Sequence, residues 1–99
     1  MSKQVFKYPV RDHNGQPAEI SIHKDAKLVH FGIDGNHVFC FWAEVPAGAV
    51  PNDVWYMRIF GTGDLIPDGG VYQSTHVNPR SGLVFHLYRF EYAVEALDS

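Results

Sequence analysis

Glycine, proline, asparagine and aspartate recur in clusters roughly every eight to twelve residues along this chain. The intervals between them hold short runs rich in Val, Ile, Phe, Tyr and Trp. Such runs are too short for helices of ordinary length and suit strands, where branched and aromatic side chains pack on a pleated surface. A chain punctuated in this way is expected to fold as an all-β domain of about seven antiparallel strands, either a sandwich or a partly open barrel. With 99 residues, it has the length of one domain over 1–99. Hydrophobic residues make up 45% of it, enough apolar surface to offset chain entropy, so disorder over most of the chain is excluded.

The strands follow from alternation. Residues 4–10 read as the first, closed by the turn residues 12–17. Residues 18–23 place Ala18, Ile20 and Ile22 on one face and Glu19, Ser21 and His23 on the other. A hairpin is expected over 28–45, with Gly35-Asn36 as a two-residue turn that sets Ile33 against Val38, Phe31 against Cys40 and Val29 against a buried Trp42. Residues 46–53 form a loop, and 54–60 a strand with Trp55, Met57 and Ile59 on one face. A glycine-rich connection over 61–70 leads to strands at 71–77 and 83–92. The last carries apolar residues on both faces, which is the pattern of a strand that is central or covered on both sides. Residues 93–97 have the composition for one helical turn.

Charge and cysteine limit the function classes. Eight Lys and Arg stand against eleven Asp and Glu, a net charge of −3 with the basic residues scattered. Duplex nucleic acid is therefore not an expected partner. No apolar stretch is long enough to span a membrane. The first residues, Met1-Ser2-Lys3-Gln4, lack the apolar run of a secretory leader, and the single Cys40 has no internal disulfide partner. Both features point to the cytoplasm. A chain this short is marginal alone and has strand edges to cover, so a homo-oligomer is expected.

Several short motifs occur in a fixed order: Lys7-Tyr8-Pro9, Phe41-Trp42-Ala43, Arg58-Ile59-Phe60-Gly61-Thr62-Gly63, Ile66-Pro67 and Gly82-Leu83-Val84-Phe85-His86. Together, over residues 6–88, they resemble a family of small uncharacterised phage and prophage proteins, a domain of unknown function. Asp64 follows the Gly-Thr-Gly stretch where members of that family often carry His. The resemblance implies a phage origin and action in the bacterial host cell. It brings no activity with it; small phage proteins of this kind are often accessory, and many counter host defence.

The chemistry-bearing residues point to binding rather than catalysis. Six histidines show no metal-ligand spacing, and no nucleophile elbow occurs, so no catalytic residue, metal or cofactor is assigned. Arg58 and Arg89 lie inside apolar strands, where an arginine has a specific partner. For Arg58 that partner is either Glu44 or Asp64 in an ion pair, or a phosphate or carboxylate held beside a stacking ring. The rings of Tyr56, Tyr88 and Trp55 are suited to stacking. Gly61-Thr62-Gly63 reads either as a strand exit needing positive φ or as a nest of backbone N–H groups for an anion. The expected ligand site thus comprises Arg58, Arg89, Tyr56, Tyr88, Trp55, Gly61, Thr62 and Gly63. Its expected ligand is a host small molecule, most concretely a nucleotide-type immune signal. The alternatives are a protein-binding inhibitor of a host defence enzyme and a small enzyme with a histidine as general base.

Overall fold

A computed structural model describes residues 2–11 and 16–91. Seven strands run in order: β1 (Lys3–Pro9), β2 (Ala18–Ile22), β3 (Lys27–Ile33), β4 (Phe39–Pro46), β5 (Asp53–Gly61), β6 (Val71–Val77) and β7 (Val84–Phe90). All strand pairs are antiparallel. They form a three-stranded sheet, β1-β4-β3, and a four-stranded sheet, β2-β5-β7-β6. The fold is thus an all-β sandwich, and the sheets do not close into a barrel. The helical turn expected at 93–97 and part of the turn after β1 lie outside the described residues.

Alternation along the strands builds the core. Ala18, Ile20 and Ile22 of β2 and Trp55 and Met57 of β5 are buried on the inner face of the four-stranded sheet. Leu87 joins them from β7, which lies between β5 and β6, the central one of the two placements that its two-sided apolar pattern allows. From the other sheet come Phe31, Phe41, Ala43 and Val45. Aromatic contacts tie the sheets together. Phe41 stacks on Tyr8 at 5.2 Å within its own sheet and on Trp55 of the other sheet at 6.1 Å. The Arg89 guanidinium lies 4.2 Å from the Trp55 ring centre and extends this stack. A second bridge joins Phe31 to Phe39 at 5.7 Å and Phe39 to Phe85 at 4.9 Å.

The β3–β4 hairpin corrects one expectation. Its loop has three residues instead of two. His37 N donates to Asp34 O and Asp34 N to Val38 O, both at 3.0 Å, and His37 takes a left-handed φ of 62°. That is a turn followed by a single left-handed residue, the usual solution for a three-residue loop. The Asp34 side chain selects it, because Oδ1 accepts from the N–H groups of both Asn36 and Val38. The register moves by one residue, to Ile33 against Phe39, Phe31 against Phe41 and His30 against Trp42. A one-residue slip sends side chains to the opposite face. Phe41 therefore fills the core, while Trp42 is only part-buried on the outside, tilted against His30 at 5.3 Å. A bulge between Leu28 and His30 leaves Val29 exposed.

Cys40 is fully buried although it shares the outer face with Trp42. Its Sγ lies 3.4 Å from Val38 O and 3.6 Å from Asp34 Oδ2. Burial and the neighbouring carboxylate push the thiol's pKa up, which disfavours the reactive thiolate.

Two outcomes test this account. Phe41→Ala removes the ring shared by both sheets and should cost roughly 3–5 kcal/mol, whereas Trp42→Ala should cost well under half of that; urea midpoints compare them. The second concerns acid. Backbone N–H groups and Lys7, whose Nζ is 3.0 Å from Oδ2, hold the Asp34 carboxyl well below the ordinary carboxylate range. Its stabilisation is therefore complete above about pH 4 and is lost as pH falls toward the folded-state value. Asp34→Asn should be less stable than wild type at neutral pH, with the difference shrinking below about pH 4.

Candidate functional site

The register of β5, β6 and β7 sorts the expected site residues onto two faces. On the outer face of the four-stranded sheet, Tyr56 pairs with Phe90, Arg58 with Tyr88 and Phe60 with His86. Tyr72 and Thr75 of β6 continue the same face beside Tyr88 and His86. Arg89 and Trp55 project from the opposite, inner side, where Arg89 also lies 3.9 Å from Asp53. The structure thus brings Arg58, Tyr56 and Tyr88 together and separates them from Arg89 and Trp55.

Arg58 has no ion pair among the described residues. The two carboxylates expected for it are engaged elsewhere. Glu44 lies 3.4 Å from Lys3, and Asp64 Oδ2 accepts from Gly61 N at 2.8 Å. The guanidinium instead sits 4.9 Å from the centre of the Phe60 ring, with Nη1 buried and without a hydrogen-bond partner. A buried donor without an acceptor costs free energy, and more so when the group is charged. Phe60 and Phe90 are each about as buried as core residues, at 2% exposure, and meet at 6.4 Å. Tyr88 packs edge-on against Phe60 at 5.6 Å and against Tyr72 at 5.7 Å. Gly70 lies across from Phe90, and any Cβ there would come within 3.0 Å of that ring. The glycine lets the aromatic ring lie over the strand.

A polar chain borders these rings. Thr62 Oγ1 is 3.0 Å from His86 Nε2, His86 Nδ1 is 3.0 Å from Thr75 Oγ1, and that hydroxyl is 2.6 Å from Tyr72 OH. A neutral imidazole has one donor and one acceptor nitrogen, so the two threonines must play opposite roles. The chain ends on a phenol and includes no carboxylate to hold an imidazolium, unlike a nucleophile relay. Sequence reasoning did not assign Thr75, His86 or Tyr72 to the site. His86 shares the face of Tyr88 by alternation along β7, whereas on β6 the bulge between Tyr72 and Ser74 brings Thr75 onto the face of Tyr72, which only the register reveals.

The Gly61-Thr62-Gly63 turn is filled by its own aspartate. Asp64 N donates to Gly61 O at 3.1 Å while Asp64 Oδ2 takes Gly61 N, and Gly63 has φ of 95°. The carboxylate stands where an external anion would receive the Gly61 N–H. Thr62 alone of this stretch reaches the ring-lined face. Trp55 Nε1, on the core side, is also buried without a partner.

Among the described residues, no group of three or more His, Cys, Asp or Glu is placed to hold a metal ion. Nor is any helix long and apolar enough to cross a membrane. Geometry therefore defines an all-β sandwich with an arginine set among rings on the outer face of its larger sheet. The chain belongs to the family described as a domain of unknown function, DUF7352, whose match covers residues 1–96. No curated protein and no solved structure matches it.

If the Arg58 Nη1 group is an unmet donor, removing it should help the fold. Arg58→Met keeps the length and apolar stem, loses the cation–π contact worth about 0.5–1 kcal/mol, and relieves a larger desolvation cost. The variant should be more stable by about 1 kcal/mol in urea. A clear loss of stability would mean that the guanidinium is satisfied in the free protein.

Proposed function

We propose that this chain is a non-enzymatic binding domain that holds an anionic, ring-bearing ligand of nucleotide type on the outer face of the β2-β5-β7-β6 sheet. The observation that carries the reading is Arg58, a guanidinium with a buried, unpartnered nitrogen on a face lined by Tyr56, Phe60 and Tyr88. Arginine presents a planar fork matched to phosphate, and neighbouring rings offer a base something to stack on. The hydroxyls of Thr75 and Tyr72 and the His86 imidazole give such a ligand polar partners at the edge of the rings. Motif resemblance adds the biological setting: a phage-derived accessory protein in the bacterial cytoplasm that sequesters a nucleotide-type immune signal. Self-association through an open edge of β1, β2, β3 or β6 belongs to the same proposal.

A second reading has its own support. Val54, Tyr72 and Val77 are exposed on that outer face, at 38%, 53% and 56%. Exposed aromatic and aliphatic groups around an arginine are also the anatomy of a protein interface. In that case the domain inhibits a host defence enzyme by covering it.

Calorimetry with mono-, di- and cyclic dinucleotides separates the two. The ligand reading expects saturable heat with at least one of them. Arg58→Lys, which keeps the charge and loses the fork, should weaken that binding by about tenfold or more. No heat with any of the panel overturns the ligand reading and leaves the protein-inhibitor one.

A further inference from the structure

The tips of two hairpins meet at one end of the sandwich, away from the face that carries Arg58. Between them lies a cleft of about 430 Å³ lined by Ile33, His37, His76, Asn78, Pro79 and Arg80. No carboxylate lines it, although the whole chain has a net charge of −3. Asp34, which opens the loop of the β3–β4 hairpin beside Ile33, has both oxygens engaged by Asn36 N, Val38 N and Lys7 Nζ. Among the described residues Arg80 has no ion-pair partner. Asn78 Oδ1 accepts from Arg80 N at 2.9 Å and Ser81 N at 3.3 Å, which fixes the turn that carries the arginine. His76 is steadied by an edge contact to Phe31 at 6.3 Å.

His37 is the informative residue. It occupies the left-handed position of the β3–β4 loop, with φ of 62°. Glycine adopts that conformation without penalty, and a residue with a Cβ does not. The chain therefore accepts backbone strain to keep an imidazole at the mouth of this cleft. Strain retained at a cleft points to what the side chain does there.

We propose that the cleft binds a phosphate monoester dianion, with the Arg80 guanidinium and the His37 and His76 imidazoles around its oxygens and Ile33 and Pro79 against its organic group. Arginine supplies the charge and the fork, and imidazole N–H groups supply further donors. This site is separate from Arg58 and stands whether or not the outer face binds a nucleotide.

The test is NMR of the histidine ring signals during titration with inorganic phosphate and with phenyl phosphate, at constant pH and ionic strength. Saturable shifts at His37 and His76, with His23 unmoved, are expected, and phenyl phosphate should bind more tightly than phosphate. His37→Gly should keep or raise the urea midpoint, because glycine relieves the strain, yet weaken binding by about tenfold. Arg80→Gln, at an exposed turn, should weaken it as much or more. Arg58→Lys should leave this titration unchanged even if it abolishes nucleotide binding. Absence of saturable shifts, or full affinity in His37→Gly, overturns the proposal. So does a shift confined to His86, which would put the anion on the outer face.

Discussion

The two sheets are held to each other by a stack that passes through Tyr8, Phe41, Trp55 and the guanidinium of Arg89. Phe41 is its pivot, since it touches a ring in its own sheet and a ring in the opposite one. The ring it touches in the opposite sheet marks which side of β5 is inner. Trp55 is fixed on the inner side of β5, so Tyr56 and Arg58 must emerge on the outer side, facing Phe90 and Tyr88. Arg89 is drawn inward to cap the stack, and its neighbours Tyr88 and Phe90 are thereby turned outward. An arginine used for packing and an arginine left with an unmet donor are thus produced by the same alternation.

The contrast between these two arginines gives the four-stranded sheet its division of labour. Arg89 has a ring beneath it and Asp53 beside it. Arg58 has a ring and no carboxylate. The unmet Arg58 donor costs free energy, and the fold that carries it is packed by the inter-sheet aromatics.

Most of the fold was legible because strands alternate and turns are chemically marked. Val71–Val77 was bounded by glycine and asparagine, and the two-sided pattern of 83–92 allowed the central place that β7 takes. The hairpin register was not legible. Gly35-Asn36 looks like a two-residue turn, and the tertiary contact of Asp34 with Lys7, together with its hold on two backbone N–H groups, selects the longer loop. That slip exchanged the roles of Phe41 and Trp42. Of the site, alternation alone put Tyr56 with Arg58 on β5 and set Tyr88 and Arg89 on opposite faces of β7. Which of those two stood beside Arg58 depended on the relative register of β5 and β7, which no local signal encodes. The carboxylate of Asp64 folding onto its own turn was likewise a contact across three residues that composition alone does not reveal.

Strand order sets a schedule for assembly. β1, β3 and β4 are complete once residue 46 has been made, and they form a whole sheet by themselves. The opposite sheet has its last-made strand in the middle: β6 pairs only with β7, and β5 reaches β6 only across it. In the opposite sheet β2 and β5 can pair, and Trp55 can meet Phe41, once residue 61 has been made, whereas β6 has no strand partner until β7 follows it. Closure of the larger sheet, and with it the outer face that carries Arg58, therefore depends on the last strand of the seven.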